Sequence, residues 1–113
     1  MSETTLCQYS ALNILVPVYD HRTSEKIDAS RFSNAQYLLI DITGTVRLEL
    51  TLGNGIAVDG DSLLISILEE SIDSTFRGPF FHQCVVWNLE GKRLCPVFQE
   101  KVVIQPVKIV ANE

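Results

Sequence analysis

Residues 46–52 read Val-Arg-Leu-Glu-Leu-Thr-Leu. Val46, Leu48, Leu50 and Leu52 alternate with Arg47, Glu49 and Thr51. A period of two puts the four apolar side chains on one face of an extended strand, whereas a helix would scatter them around its axis. This half-buried strand sets the class of the fold. Thr43-Gly44-Thr45 precedes it as a tight turn, and Gly53-Asn54-Gly55 breaks it, because glycine adopts positive φ without steric cost.

The pattern repeats outward in both directions. Leu12 to Val18, LNILVPV, is an apolar run in which Pro17 removes a donor, so this strand belongs near an edge. A polar loop, DHRTSEK, leads to a second strand over Ala35 to Ile42. After the break, Ile56-Ala57-Val58 is a short extended piece closed by Asp59-Gly60-Asp61. Ser62 to Leu68 follows, with Leu63, Ile65 and Ile67 on one face and Leu64, Ser66 and Leu68 on the other, so both faces are expected to be covered. Glu69 to Phe76 is the one segment with a helical turn open to it, with Ser71 or Asp73 available as the cap. Phe80 to Asn88, FFHQCVVWN, is rich in aromatic and β-branched residues and reads as a central strand. Glu90-Gly91-Lys92-Arg93 is a hairpin turn. Leu94 to Phe98 and Val102 to Val110 supply the last strands, with Pro106 at a bulge or edge and Lys101 and Lys108 guarding that edge. About seven short antiparallel strands in two facing sheets is the economical solution. The expected core is Leu48, Leu50, Leu63, Ile65, Ile67, Phe81, Val85, Trp87 and Val103. Residues 1–11 are expected to be a flexible arm and residues 12–113 the folded domain.

The chain has 113 residues, enough for one domain with a real core. Apolar residues make up 46% and charged residues 20%, which excludes a disordered chain. No apolar run reaches the roughly 18–20 residues of a helical membrane span, so no membrane partner is expected. The formal net charge of -5 and pI near 4.9 disfavour nucleic acid as a partner. MSETTLCQYS lacks the basic start and apolar segment of a signal peptide. Cys7, Cys84 and Cys95 are an odd set; Cys84 and Cys95 face each other across a hairpin in one reading, and free thiols in a reducing cytoplasm are preferred.

Each candidate for chemistry has a plainer reading beside it. His82-x-Cys84 with Cys95 has part of a zinc spacing, but a fourth ligand would have to come from His21 or Cys7. Asp20-His21 among many serines invites a hydrolase, yet no G-x-S-x-G is present. His21 reads as a solvated loop residue and His82 as a packed one. Gly53-Asn54-Gly55 and Asp59-Gly60-Asp61 lack the lysine and helix of a phosphate loop and the acid series of a calcium loop. Glu69, Glu70 and Asp73 are an acidic cluster without the aromatic cleft that sugar hydrolysis needs. No catalytic, cofactor-binding or metal residue is therefore assigned, no cofactor is expected, and the protein is not expected to be an enzyme.

Three stretches carry a family likeness: TLGNGIAVDGDSLLISI, IDSTFRGPFFHQCVVWNLEGKRL and VVIQPVKIV. Over roughly residues 13–110 the chain resembles the small immunoglobulin-like β-sandwich domains of tailed-bacteriophage structural proteins, such as the N-terminal domain of baseplate upper proteins and related tail or neck proteins. These domains often have Tyr where Phe80 and Phe81 stand. The resemblance implies an immunoglobulin-like sandwich and a non-enzymatic virion adaptor, assembled in the host bacterial cytoplasm. It also implies that the adaptor contacts other tail, neck or capsid proteins and forms a homo-oligomer. The alternative is a small binding module for carbohydrate or a host protein.

Overall fold

The computed structural model describes residues 4–20 and 23–107. The chain is all-β, and the one helical piece among the described residues is a 3₁₀ turn at Ala29–Arg31. The strands are β1 (Thr4–Cys7), β2 (Leu12–Val16), β3 (Val18–Tyr19), β4 (Lys26–Ile27), β5 (Phe32–Asp41), β6 (Val46–Leu52), β7 (Gly55–Asp59), β8 (Ser62–Ile67), β9 (Gly78–Asn88) and β10 (Phe98–Gln105). Eight of them form one strongly curled half-barrel sheet in the order β1-β10-β9-β5-β6-β7-β8-β2. The other two, β3 and β4, pair as a small separate sheet.

This differs from the expected pair of facing antiparallel sheets. The main sheet is mixed, because β1 runs parallel to β10 and β6 parallel to β7. Curling explains how a single sheet replaces a sandwich. The long strands β5 and β9 pair along most of their lengths, with a register shift between Phe32 and Asn34. A second shift between Leu39 and Ile40 leaves Arg47 as the extra residue on β6. Such bulges bend a strand and increase its twist. The sheet then wraps its concave side around one core, in which Leu6, Val16, Tyr37, Leu39, Ile56, Ile65, Phe80 and Ile104 all take part.

The strand at 46–52 matches its expected bounds, but its apolar face is only partly kept. Leu48, Leu50 and Leu52 pack against the core, whereas Val46 is exposed. The bulge at Arg47 slips the alternation by one position and turns Val46 outward. Leu63, Ile65, Ile67 and Val85 are buried as expected. Phe81 is not: it is 46% exposed, and Phe80 takes the core position. Trp87 and Val103 are half-buried while Val86, Val102 and Ile104 are buried. In β9 both faces carry aromatic and aliphatic side chains, so composition does not fix the phase of the alternation, whereas in β10 Val103 shares its face with Gln99, Lys101 and Gln105. Leu68 is 58% exposed, so the end of the 62–68 run is not covered on both sides.

Two other expectations change. Residues 69–76 form turns rather than a helix. The Asp73 carboxylate accepts from the Thr75 N–H at 2.9 Å and the Thr75 hydroxyl at 2.5 Å, a local alternative that competes with helix. Ile72 and Phe76 plug one end of the core. The N-terminal stretch is also held: Thr4–Cys7 is β1, and Leu6 is buried. Beyond it, buried Gln8 donates from Nε2 to the Phe76 carbonyl at 2.6 Å and accepts from the Val107 N–H at 3.2 Å. The last strand is therefore no edge. β10 lies between β9 and β1 and stops at Gln105, just before Pro106. Lys108 and His21 lie outside the described residues.

Candidate interaction groove

Among the described residues, the main sheet has two edges, β1 and β2, at the ends of the strand order. Both line the same groove, a space of about 460 Å³. Thr5 and Leu6 of β1 stand on one side, and Leu12, Ile14 and Leu15 of β2 on the other. His82, Phe98 and Glu100 complete the lining. Leu12 to Val16 contains no charged side chain. Leu15 is 56% exposed and Leu12 36%. As expected from Pro17, β2 is an edge strand.

The floor of this groove carries the most organised polar cluster in the protein. Alternation along β9 puts Phe80, His82 and Cys84 on the concave face, and all three are buried. Tyr37 sits opposite Cys84 on β5, which brings its hydroxyl 3.0 Å from His82 Nδ1. Glu100 sits opposite His82 on β10, with Oε1 2.8 Å from His82 Nε2. Phe98 lies against the imidazole at a ring-centroid distance of 4.7 Å. A neutral imidazole satisfies every partner: the Tyr37 hydroxyl donates to Nδ1, and the Nε2 proton is donated to the carboxylate. Burial, with Cys84 and Glu100 nearby, raises the Tyr37 pKa well above its ordinary 10.0. Burial also pushes the Cys84 thiol up to about 12.

Acid, imidazole and hydroxyl thus stand in the order that activates a nucleophile. The hydroxyl, however, belongs to a side chain with no exposed surface. With no exposed surface, that hydroxyl is out of reach of a substrate in this arrangement. The cluster pins β5, β9 and β10 together beneath the groove. His82 is the packed histidine expected from its apolar strand. Its two polar partners were not legible, since Tyr37 and Glu100 lie 45 and 18 residues away in sequence.

The other singled-out residues are dispersed. Cys84 is buried, whereas Cys7 and Cys95 are exposed, and all three are free. Among the described residues no three His, Cys, Asp or Glu side chains converge as a metal site. Glu69 and Glu70 are exposed, and Asp73 is engaged by Thr75. Asp61 accepts from Lys26 Nζ at 3.0 Å, tying β4 to the turn before β8. The glycines of the 53–55 turn serve the backbone, since Gly53 and Gly55 have φ of 89° and 98°. Arg47 is no isolated surface charge. Its guanidinium carbon lies 4.6 Å from the centroid of the Phe76 ring, and Nη2 donates to the Thr75 hydroxyl at 2.8 Å.

A second cavity of about 670 Å³ lies beside the β3–β4 pair, lined mainly by Val18, Ile27, Val86, Leu94 and Val97, with Tyr19 and Cys95 also part of its wall. No family model, curated protein or solved structure matches the chain.

Proposed function

We propose that this protein is a non-enzymatic adaptor that works by protein–protein contact. The observation that carries this reading is the groove between β1 and β2: two strands that, among the described residues, each pair on one side only, flanked by uncharged and partly exposed apolar side chains. Such edges favour pairing with another chain. The engagement of both His82 ring nitrogens and the burial of the Tyr37 hydroxyl support a structural role for the one cluster that mimics catalytic order.

The sequence resemblance supplies the narrower form: a phage or prophage virion component of tail, baseplate or neck, assembled in the bacterial host and repeated in a closed oligomer. In that form the curled single sheet is a variant on the immunoglobulin-like design. The test is reconstitution of the purified protein with the individual tail, neck and capsid proteins encoded beside its gene. A stoichiometric complex with one of them supports the adaptor; passage through every mixture as an unaltered monomer rejects it.

The alternative, a carbohydrate module, draws on Tyr19, which is 54% exposed and lines part of the 670 Å³ cavity. Stacking of a sugar face on Tyr19 is its mechanism. Glycan-array binding that is lost in Tyr19→Ala, without any virion complex, would favour it over the adaptor.

A further inference from the structure

The cavity beside the β3–β4 pair has no part in the adaptor reading, and its size and walls narrow what it can hold. We infer that this space is a binding site for one small, uncharged, mainly apolar molecule. The inference goes beyond the adaptor reading and does not rest on it.

The space exists because two units that share no ladder face each other. Among the described residues β3 and β4 pair only with one another, Val18 opposite Ile27. Across the cavity stand Val86 of β9 and residues 94–97. That second wall is fixed to β9: the Leu94 N–H donates to the Val86 carbonyl at 2.9 Å, and the Val97 N–H to the Cys84 carbonyl at 2.7 Å. The β3–β4 wall is tethered separately. Pro17 alone joins β3 to β2. At the other end Lys26 Nζ donates to the Asp61 carboxylate at 3.0 Å, and the Ala29 N–H to the Asp61 carbonyl at 3.1 Å. Each wall is held by its own bonds, and the gap between them is part of the fold. An occupant therefore meets a preformed site and spends little on ordering the protein.

Volume and wall chemistry decide the class of the occupant. At about 670 Å³ the cavity falls within the roughly 300–1,000 Å³ of small-molecule sites. Val18 and Val86 are buried where they line it, and Ile27, Leu94 and Val97 are half-buried. All five are aliphatic. They gain from apolar contact and offer no side-chain donor or acceptor. A charged group or a ring of sugar hydroxyls placed against them would lose its hydration without a partner. A polypeptide segment fits poorly for the same reason, since its main-chain amides need hydrogen bonds. Tyr19, Ser24 and Cys95 also line the space and are exposed, so a single polar substituent belongs on their side. The Asp20 carboxylate, the one charged group of the lining, accepts from the Thr23 N–H at 3.3 Å.

The test uses the full chain and two fluorescent probes of nearly the same shape, uncharged N-phenyl-1-naphthylamine and its anionic sulfonate, 1-anilinonaphthalene-8-sulfonate. The uncharged probe is expected to bind saturably at one per chain, and the sulfonate at least about tenfold more weakly. Location is read from the thiols. Cys7 and Cys95 are both exposed, and only Cys95 lines the cavity. Saturating uncharged probe is expected to suppress N-ethylmaleimide alkylation of Cys95 and to leave that of Cys7 unchanged, as peptide mass spectrometry resolves. Val97→Phe fills part of the space and is expected to weaken the uncharged probe by at least about tenfold. Circular dichroism checks that this variant folds; if it does not, the thiol footprint on the wild type decides alone. Equal affinities for the two probes overturn the inference. So do absence of saturable binding, binding that leaves Cys95 as reactive as before, full binding by folded Val97→Phe, and displacement of the probe by neutral saccharides. The adaptor reading is untouched by any of these results, because complexes with other proteins are a separate readout.

Discussion

At the scale of single residues, the Tyr37–His82–Glu100 chain shows how polar groups are retained in an apolar core. Each buried group has its partner, so removing one member leaves another unsatisfied in a low-dielectric site. Tyr37→Phe strands His82 Nδ1 without a donor and is expected to destabilise the fold by about 1–3 kcal/mol in denaturant unfolding. His82→Leu strands the Tyr37 hydroxyl at a similar cost. The double variant is expected to cost less than the sum, which a double-mutant cycle measures. A fully additive cycle would mean that the two side chains act independently. Carboxylates on the surface set the acid limb of stability. The Thr43 hydroxyl and the Thr45 N–H hold the Asp41 carboxyl below its ordinary 3.8, and the Thr75 hydroxyl and N–H do the same for Asp73. A pKa lower in the folded than in the unfolded state adds stability above the unfolded value, and that stability is lost as pH falls through the folded value. The melting temperature is therefore expected to fall on acidification below about pH 4, and less steeply in Asp41→Asn/Asp73→Asn.

At the scale of elements, the connections decide what the strands can do. β6 and β7 run parallel although only Gly53 and Asn54 separate them. The chain must coil tightly to do this. A Cβ at Gly55 would lie 2.6 Å from Leu50 Cδ2, and its φ of +98° disfavours any side chain. Gly55→Ala is expected to destabilise by about 1–3 kcal/mol in equilibrium unfolding. A neutral outcome would show that the turn relaxes freely. β1 offers a sharper contrast. For a loose arm, Leu6→Ala would change nothing. For a strand whose leucine fills the core, it is expected to cost about 2–5 kcal/mol, read from the denaturant midpoint.

The same elements show where sequence reasoning works and where it stops. The strand at 46–52 was legible because one of its faces is polar, which fixes the alternation until the bulge at Arg47. Phe80 and Phe81 were not distinguishable, because both are aromatic and their strand is apolar on both faces. The helical turn left open at 69–76 does not form, because Asp73 and Thr75 make a side-chain-to-backbone turn of their own. Pairing of β1 with β10 was out of reach, since it joins chain segments about a hundred residues apart. No local signal marks such a contact. Buried Gln8 was missed for the same reason.

At the scale of the whole molecule, one sheet does the work of two. Curling lets β5 and β9 form the middle of a wall whose ends, β1 and β2, approach a common groove without pairing to each other. A closed barrel would have no edge to offer, and a sandwich would place its edges on separate sheets. The half-barrel places two edges, an exposed Leu15 and a carboxylate at one site, under a net charge of -5. All-β character was readable from composition and spacing, but this curl was not, because it arises from bulges and long-range register. The proposed function, contact with another protein at the groove between β1 and β2, is tested most directly by size-exclusion chromatography with light scattering. The protein is co-expressed with the proteins encoded beside its gene, as wild type and as Leu15→Lys. A complex of defined stoichiometry that the wild type forms and the folded variant loses is the predicted result; a 12.6 kDa monomer in every wild-type mixture, or a complex that Leu15→Lys leaves intact, would contradict it.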